Sequence, residues 1–93
     1  MITISHHAFI RAKERLGLNP AAFKRIVAMA FAYGTQQHET RGKLNHYLKA
    51  ICFEHPTNDI RLYGENIFIF KDGVCVTVYQ IPLELRKNLK HKK

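Results

Sequence analysis

The final third of the chain alternates, and that alternation limits the fold more than any other feature. Residues 60–63, 67–70 and 74–81 are three short runs rich in Ile, Val, Phe and Tyr, separated by Gly64-Glu65-Asn66 and by Lys71-Asp72-Gly73. A side-chain period of two belongs to strands. Asp-Gly accepts the positive φ angles of a tight turn between antiparallel neighbours, so an antiparallel meander follows. On its first strand Ile60 and Leu62 point one way, Arg61 and Tyr63 the other; on its last, Val74, Val76 and Val78 alternate with Cys75, Thr77 and Tyr79. The spacing predicts an open sheet face that gathers Arg61, Tyr63, Thr77 and Tyr79.

Helical signals precede the meander. Ser5 is suited to cap a helix and Gly17 to end it, with Ala8, Phe9, Ala12 and Leu16 forming its apolar side. Asn19 and Pro20 restart the chain as N-cap and first helical residue, and the second helix is expected over Pro20–Tyr33. Phe23, Ile26, Val27, Ala30 and Tyr33 line its core side, and Met29 and Phe31 broaden it. Residues 35–42 read as a polar loop. Leu44, Tyr47, Leu48 and Ile51 then recur at helical spacing, although residues 50–54 also suit a strand, and 55–59 carry turn chemistry. Residues 1–4 read as a brief strand. With helices first and strands last the class is α+β, two to three N-terminal helices packing on one face of a small C-terminal antiparallel meander. The length of 93 residues suits a single domain, taken as 1–85, followed by a basic tail over 86–93.

Charge narrows the partners. Fifteen Lys and Arg against seven Asp and Glu give a formal charge of +8 and a pI near 9.8, which favours polyanions and above all nucleic acid. Part of the excess lies in the tail, where it can serve solubility alone. Cys52 and Cys75 are isolated, lack zinc-binding spacing and read as buried thiols. No metal and no other cofactor is expected. No run reaches the ~20 apolar residues of a membrane span, so a cytoplasmic protein without membrane contact is the expectation.

The opening helix places His7, Arg11, Glu14 and Arg15 in one sector, where residues three and four apart are neighbours. The competing reading is a solvated face with an ion pair of modest worth. Metal-free RNA cleavage needs a base for the 2′-hydroxyl, an acid for the leaving oxygen and cations around the phosphate. His7 is the first choice for proton transfer, since imidazole titrates near neutrality. Arg11 clamps phosphate and Glu14 orients Arg11 or shares the proton, which makes His7, Arg11 and Glu14 the candidate catalytic set. Arg15 and Arg61 add forked contacts to phosphate, and Tyr63 and Tyr79 offer rings for bases. Arg41 and Lys43 join these four as candidate nucleic-acid-binding residues. His46 faces away from the Leu44 and Leu48 stripe and reads as a surface residue; His38 and His55 lie in turns.

The segments His7-Ala8-x-x-Arg11-x-x-Glu14-Arg15-Leu16-Gly17-Leu18, Gly42-Lys43-Leu44 with Tyr47-Leu48, and Asn58-Asp59-Ile60-Arg61-Leu62-Tyr63-Gly64 followed by Ile67-Phe68-Ile69-Phe70 and Thr77-Val78-Tyr79 together resemble a family of small phage and prophage proteins. The resemblance spans nearly the whole chain. More remotely, the element order and the His-Ala-x-x-Arg helix resemble compact ribonuclease toxins of the RelE and BrnT kind, within the barnase, EndoU and colicin-like group. That resemblance implies a toxin-like, metal-independent RNA-cleaving or RNA-binding domain that uses one concave sheet face and the edge of a helix. The expectation is a small nucleic-acid-binding domain, RNA before DNA, with endoribonuclease activity left open. The alternative is a phage-encoded inhibitor or modulator that binds a host protein without catalysis, and a host protein or an antitoxin-like chain is the corresponding partner.

Overall fold

Ile67, Phe68, Ile69 and Phe70 follow one another without a polar residue between them, and each is at most 1% exposed. Consecutive strand residues point to opposite faces, so a strand buries such a run only when both faces are covered. The computed structural model, which describes residues 3–36, 39–54 and 59–88, shows how. Its elements are β1 (Thr3–Ile4), α1 (His6–Leu16), α2 (Pro20–Tyr33), β2 (Thr35–Gln36), α3 (Gly42–Glu54), β3 (Asp59–Tyr63), β4 (Asn66–Lys71), β5 (Val74–Gln80) and a 3₁₀ turn at Leu83–Asn88. The five strands lie in the order β1-β5-β4-β3-β2, with β4 in the middle. All neighbours are antiparallel except β1, which runs parallel to β5.

The α+β class and the meander are as expected, but the helices take both sides of the sheet. Ala8 and Ala12 of α1 and Phe23, Val27 and Ala30 of α2 pack with Phe68, Phe70, Cys75 and Val78 on one face. On the other, Leu44, Leu48 and Ile51 of α3 and Leu85 of the 3₁₀ turn pack with Ile60, Leu62, Ile67 and Ile69. Aromatic rings tie the first layer together: Phe9 meets Phe23 edge-on at 5.7 Å, Phe23 stacks near Phe68 at 6.4 Å, and Phe31 meets Phe70 at 5.2 Å. The expected open polar face does not form. Arg61 and Tyr63 pair in register with Phe68 and Asn66 on the α1/α2 side, whereas Thr77 and Tyr79 pair with Ile69 and Ile67 on the α3 side. A bulge adds to the difference, because Ile69 faces Thr77 while Phe70 faces Cys75, leaving Val76 as the extra residue. Val76 and Thr77 then lie on the same side, and the simple alternation along β5 is broken.

Local chemistry accounts for the helix ends. The Ser5 hydroxyl accepts from the Ala8 amide at 3.0 Å as N-cap and donates to the Val76 carbonyl at 3.3 Å, while the Ser5 amide donates to the Cys75 carbonyl at 3.0 Å. One residue thus caps α1 and fastens it to β5. Gly17 closes α1 at φ +68°, and Asn19 caps α2 by accepting from Ala22 at 2.9 Å. Asp72 and Gly73, both at positive φ, make the tight turn between β4 and β5. The two-residue strand β2 was not foreseen within the polar loop, and residues 50–54 continue α3 instead of forming a strand. Met29 and Tyr33, expected to line the core, are 42% and 69% exposed. Leu85 is buried and Arg86 bonds the Ile81 carbonyl at 3.0 Å. The Cys52 side chain, His38, the turn over 55–58 and the tail beyond residue 88 lie outside the described residues.

Two positions give quantitative tests. A methyl group on Gly34 would stand 2.3 Å from the Ala30 carbonyl oxygen and 3.0 Å from that of Leu62, where backbone has to move. Gly34→Ala is expected to lower unfolding free energy by about 2–3 kcal/mol, read from urea midpoints; an unchanged midpoint contradicts this. Burial pushes the Cys75 thiol up from 9.0 to about 12. Its folded form therefore keeps a proton that the unfolded chain loses first, so stability falls as pH rises from 9.0 toward about 12. Cys75→Ala should flatten that part of the stability profile relative to the parent chain.

Candidate functional site: the α1 charge cluster and the outer face of α3

With Ala8 and Ala12 fully buried against the sheet, α1 turns His7, Arg11 and Glu14 outward. These three meet. The Arg11 Nε donates to His7 Nε2 at 3.3 Å, and a terminal guanidinium nitrogen of Arg11 donates to Glu14 Oε1 at 2.7 Å. Arg11 and Glu14 side chains are 34% and 55% exposed, so solvent screens the pair and its contribution to stability is small. Arg11 is thereby held between an imidazole and a carboxylate, and the accepting nitrogen of His7 is occupied by a cation's N–H.

Arg15 leaves this group. It reaches past the end of β1 to the outer edge of β5, donating to the Val78 carbonyl at 3.0 Å, and its guanidinium lies 4.5 Å from the centre of the Tyr79 ring. Two candidate residues, Arg15 and Tyr79, are thus brought together, in a contact that caps an otherwise open strand edge. Arg61 stands apart from both. Its Nε and one terminal nitrogen donate to the Asp59 carboxylate, the latter at 2.9 Å, the other terminal nitrogen donates to the Phe31 carbonyl, and the guanidinium stacks 4.6 Å from the Phe31 ring. It is only 18% exposed. Arg61 fastens the C-terminal end of α2 to β3, where cations complement the helix dipole. Tyr63, half-buried, packs against the first core cluster. The phosphate clamp expected from Arg11, Arg15 and Arg61 is therefore divided among three places, with Arg15 and Arg61 spent on backbone carbonyls, rings and Asp59.

Arg41 precedes α3 and Lys43 lies in its first turn, and both are exposed. The Asn45 side chain donates to the Thr40 carbonyl at 3.2 Å and to its hydroxyl at 3.1 Å, holding the turn before the helix. Leu44, Leu48 and Ile51 point into the second core. The opposite side of the helix is left to Lys43, His46 and Lys49, all exposed. Apart from Glu54 at its last position, α3 contains no carboxylate. His46 and Lys49 were not among the expected binding residues. Their signal was the three-residue step from Lys43, which runs along the side opposite Leu44 and Leu48.

The cations fall into two groups. Arg11, Arg61 and Arg86 are paired with Glu14, Asp59 and Glu65, and Arg15 with a carbonyl and a ring. Lys13, Lys24, Arg25, Arg41, Lys43, Lys49 and Lys71 are exposed and form no ion pair among the described residues. The described residues contain no group of three His, Cys, Asp or Glu placed to hold a metal ion. Among them no helix is long and apolar enough to cross a membrane. Comparison with family models, with curated proteins and with solved structures finds no match for the chain.

The two arginine environments predict unequal losses. Arg61→Ala strands a carboxylate and a helix-end carbonyl and should cost about 2 kcal/mol. Arg11→Ala, in solvent, should cost less than about 1 kcal/mol. Equal losses in chemical denaturation would contradict the assignment of Arg61 as a structural fastener.

Proposed function

We propose that the protein binds nucleic acid through its phosphate backbone, on the outer face of α3. The observation that carries this reading is the composition of that face: Lys43, His46 and Lys49 are exposed on the side of the helix away from the core, and Arg41, just before its first residue, is exposed too. Lys43 and Lys49 are six residues apart, about 9 Å of helix rise, and flank His46, which lies three residues from each. Ammonium groups on flexible stems suit phosphate contacts, which need charge and not fixed geometry. A formal charge of +8 adds attraction at longer range.

Binding without cleavage is the reading that the geometry supports best. Cleavage needs a free base, an acid and converging cations at one phosphate. His7 has its accepting nitrogen engaged by Arg11, and Arg15 and Arg61 are held elsewhere. RNA is proposed ahead of DNA on the resemblance of the opening helix and element order to ribonuclease toxins.

Fluorescence anisotropy with a single-stranded RNA, and with DNA of the same sequence, tests the proposal. Affinity should fall steeply with salt, by a log–log slope of about 0.7 for each phosphate neutralised. The double substitution Lys43→Glu and Lys49→Glu should weaken binding at least about tenfold and reduce the slope by about 0.7 per residue, with the melting temperature unchanged. RNA kept with the protein in a chelator should stay intact. Affinity indifferent to salt, or untouched by the double substitution, overturns the proposal.

A further inference from the structure

The helical neighbours of His46, three and four residues away, are Gly42, Lys43, Lys49 and Ala50. The exposed imidazole thus has two ammonium groups beside it and no carboxylate. Glu54, the one acid of α3, stands eight residues on, about 12 Å along the axis. Through the second core α3 packs with β3, β4, the 3₁₀ turn and, at Val76 and Tyr79, β5. The charged side chains described there are Asp59 with Arg61 and Glu65 with Arg86, each pair joined, together with Lys71 and Glu84. Glu39 and Arg41 precede the helix. Among the described residues none of these, and neither Tyr47 nor Tyr79, forms a hydrogen bond or ion pair with His46.

We propose that nucleic-acid binding on α3 is coupled to protonation of His46, so that the protein takes up a proton with the polyanion and grips it more tightly as the solution becomes mildly acidic. The inference rests on the nucleic-acid reading above and adds a regulating residue to the same face. Imidazole is the side chain whose charge changes in that range. In the free protein an imidazolium here is opposed by Lys43 and Lys49. A phosphate laid along the face reverses the balance, because its oxygens accept from the imidazolium N–H and offset the repulsion among the three cations. The complex therefore holds the proton more firmly than the free protein does, and reciprocity requires that the proton strengthen binding by the same factor. Neutralising one further phosphate is worth about fivefold in affinity at ~0.1 M salt, on a log–log slope of about 0.7 referred to ~1 M. An imidazole collects about fourfold of this between about pH 8 and about pH 6.

Anisotropy with single-stranded RNA at ~0.1 M salt should show binding about fourfold tighter at about pH 6 than at about pH 8, with a salt slope steeper by about 0.7. His46→Gln should hold the weaker affinity at both pH values, and His46→Arg the tighter affinity at both. A merely structural role would not give these opposite outcomes. Calorimetry in buffers of different ionisation enthalpy should register uptake of roughly 0.4 proton near neutrality by the parent chain and none by His46→Gln. Suppose the parent binds equally at both pH values while binding stays salt-dependent and is still weakened by Lys43→Glu with Lys49→Glu: the inference is then overturned and the nucleic-acid reading stands. A pH response that persists in His46→Gln belongs to another of the chain's six histidines and overturns the inference as well. RNA binding untouched by the lysine substitutions overturns both.

Discussion

The structure depends on β4 being dry on both faces. Phe68 and Phe70 on one side and Ile67 and Ile69 on the other are shielded from water, and burying such side chains contributes about 1.5–3 kcal/mol each. Neither helical layer suffices alone. The pair α1 and α2 covers the aromatic side, and α3 with the 3₁₀ turn covers the isoleucines. Because β4 is central in the order β1-β5-β4-β3-β2, its demand sets the sandwich of helices around the sheet. The outward direction of each helix follows, including the side of α3 that carries Lys43, His46 and Lys49.

Arginine and lysine divide the work within this frame. The planar guanidinium suits fixed multiple contacts, and the half-buried arginines use it so. Arg15 closes the β5 edge, Arg61 ties α2 to β3, and Arg86 joins the 3₁₀ turn to Glu65 and the Ile81 carbonyl. The exposed lysines make no ion pair among the described residues. Three of the seven acidic residues are thus paired with arginine, and Lys13, Lys24, Arg25, Lys43 and Lys49 stand exposed on the helices. The opening helix therefore serves the fold on one side, through Ser5, Ala8, Ala12 and Arg15, and presents a small self-neutralised cluster on the other.

Much of this was legible in the sequence wherever a signal is local. Ser5, Gly17, Asn19 with Pro20, and Asp72 with Gly73 mark ends and turns through one or two residues each, and all stand where such chemistry places them. The approach of His7, Arg11 and Glu14 also follows from helical spacing alone. Relations across the sheet were harder to read. The phase of β5 changes at the Val76 bulge, and the face of Arg61 relative to Tyr79 depends on the registers of two hairpins. A two-residue strand such as β2 has no period to detect. Two signals were present and undervalued: four consecutive apolar residues in β4 require cover on both faces, and Asp59 two positions before Arg61 on one strand supplies its partner.

Amide-resolved NMR titration with single-stranded RNA tests most directly whether the excess charge on the outside of α3 is what the protein uses. The account predicts the largest shift changes between Arg41 and Lys49, with the amides of His7 to Arg15 changing little. Changes concentrated on α1 around His7 and Arg11, with α3 unaffected, would contradict it.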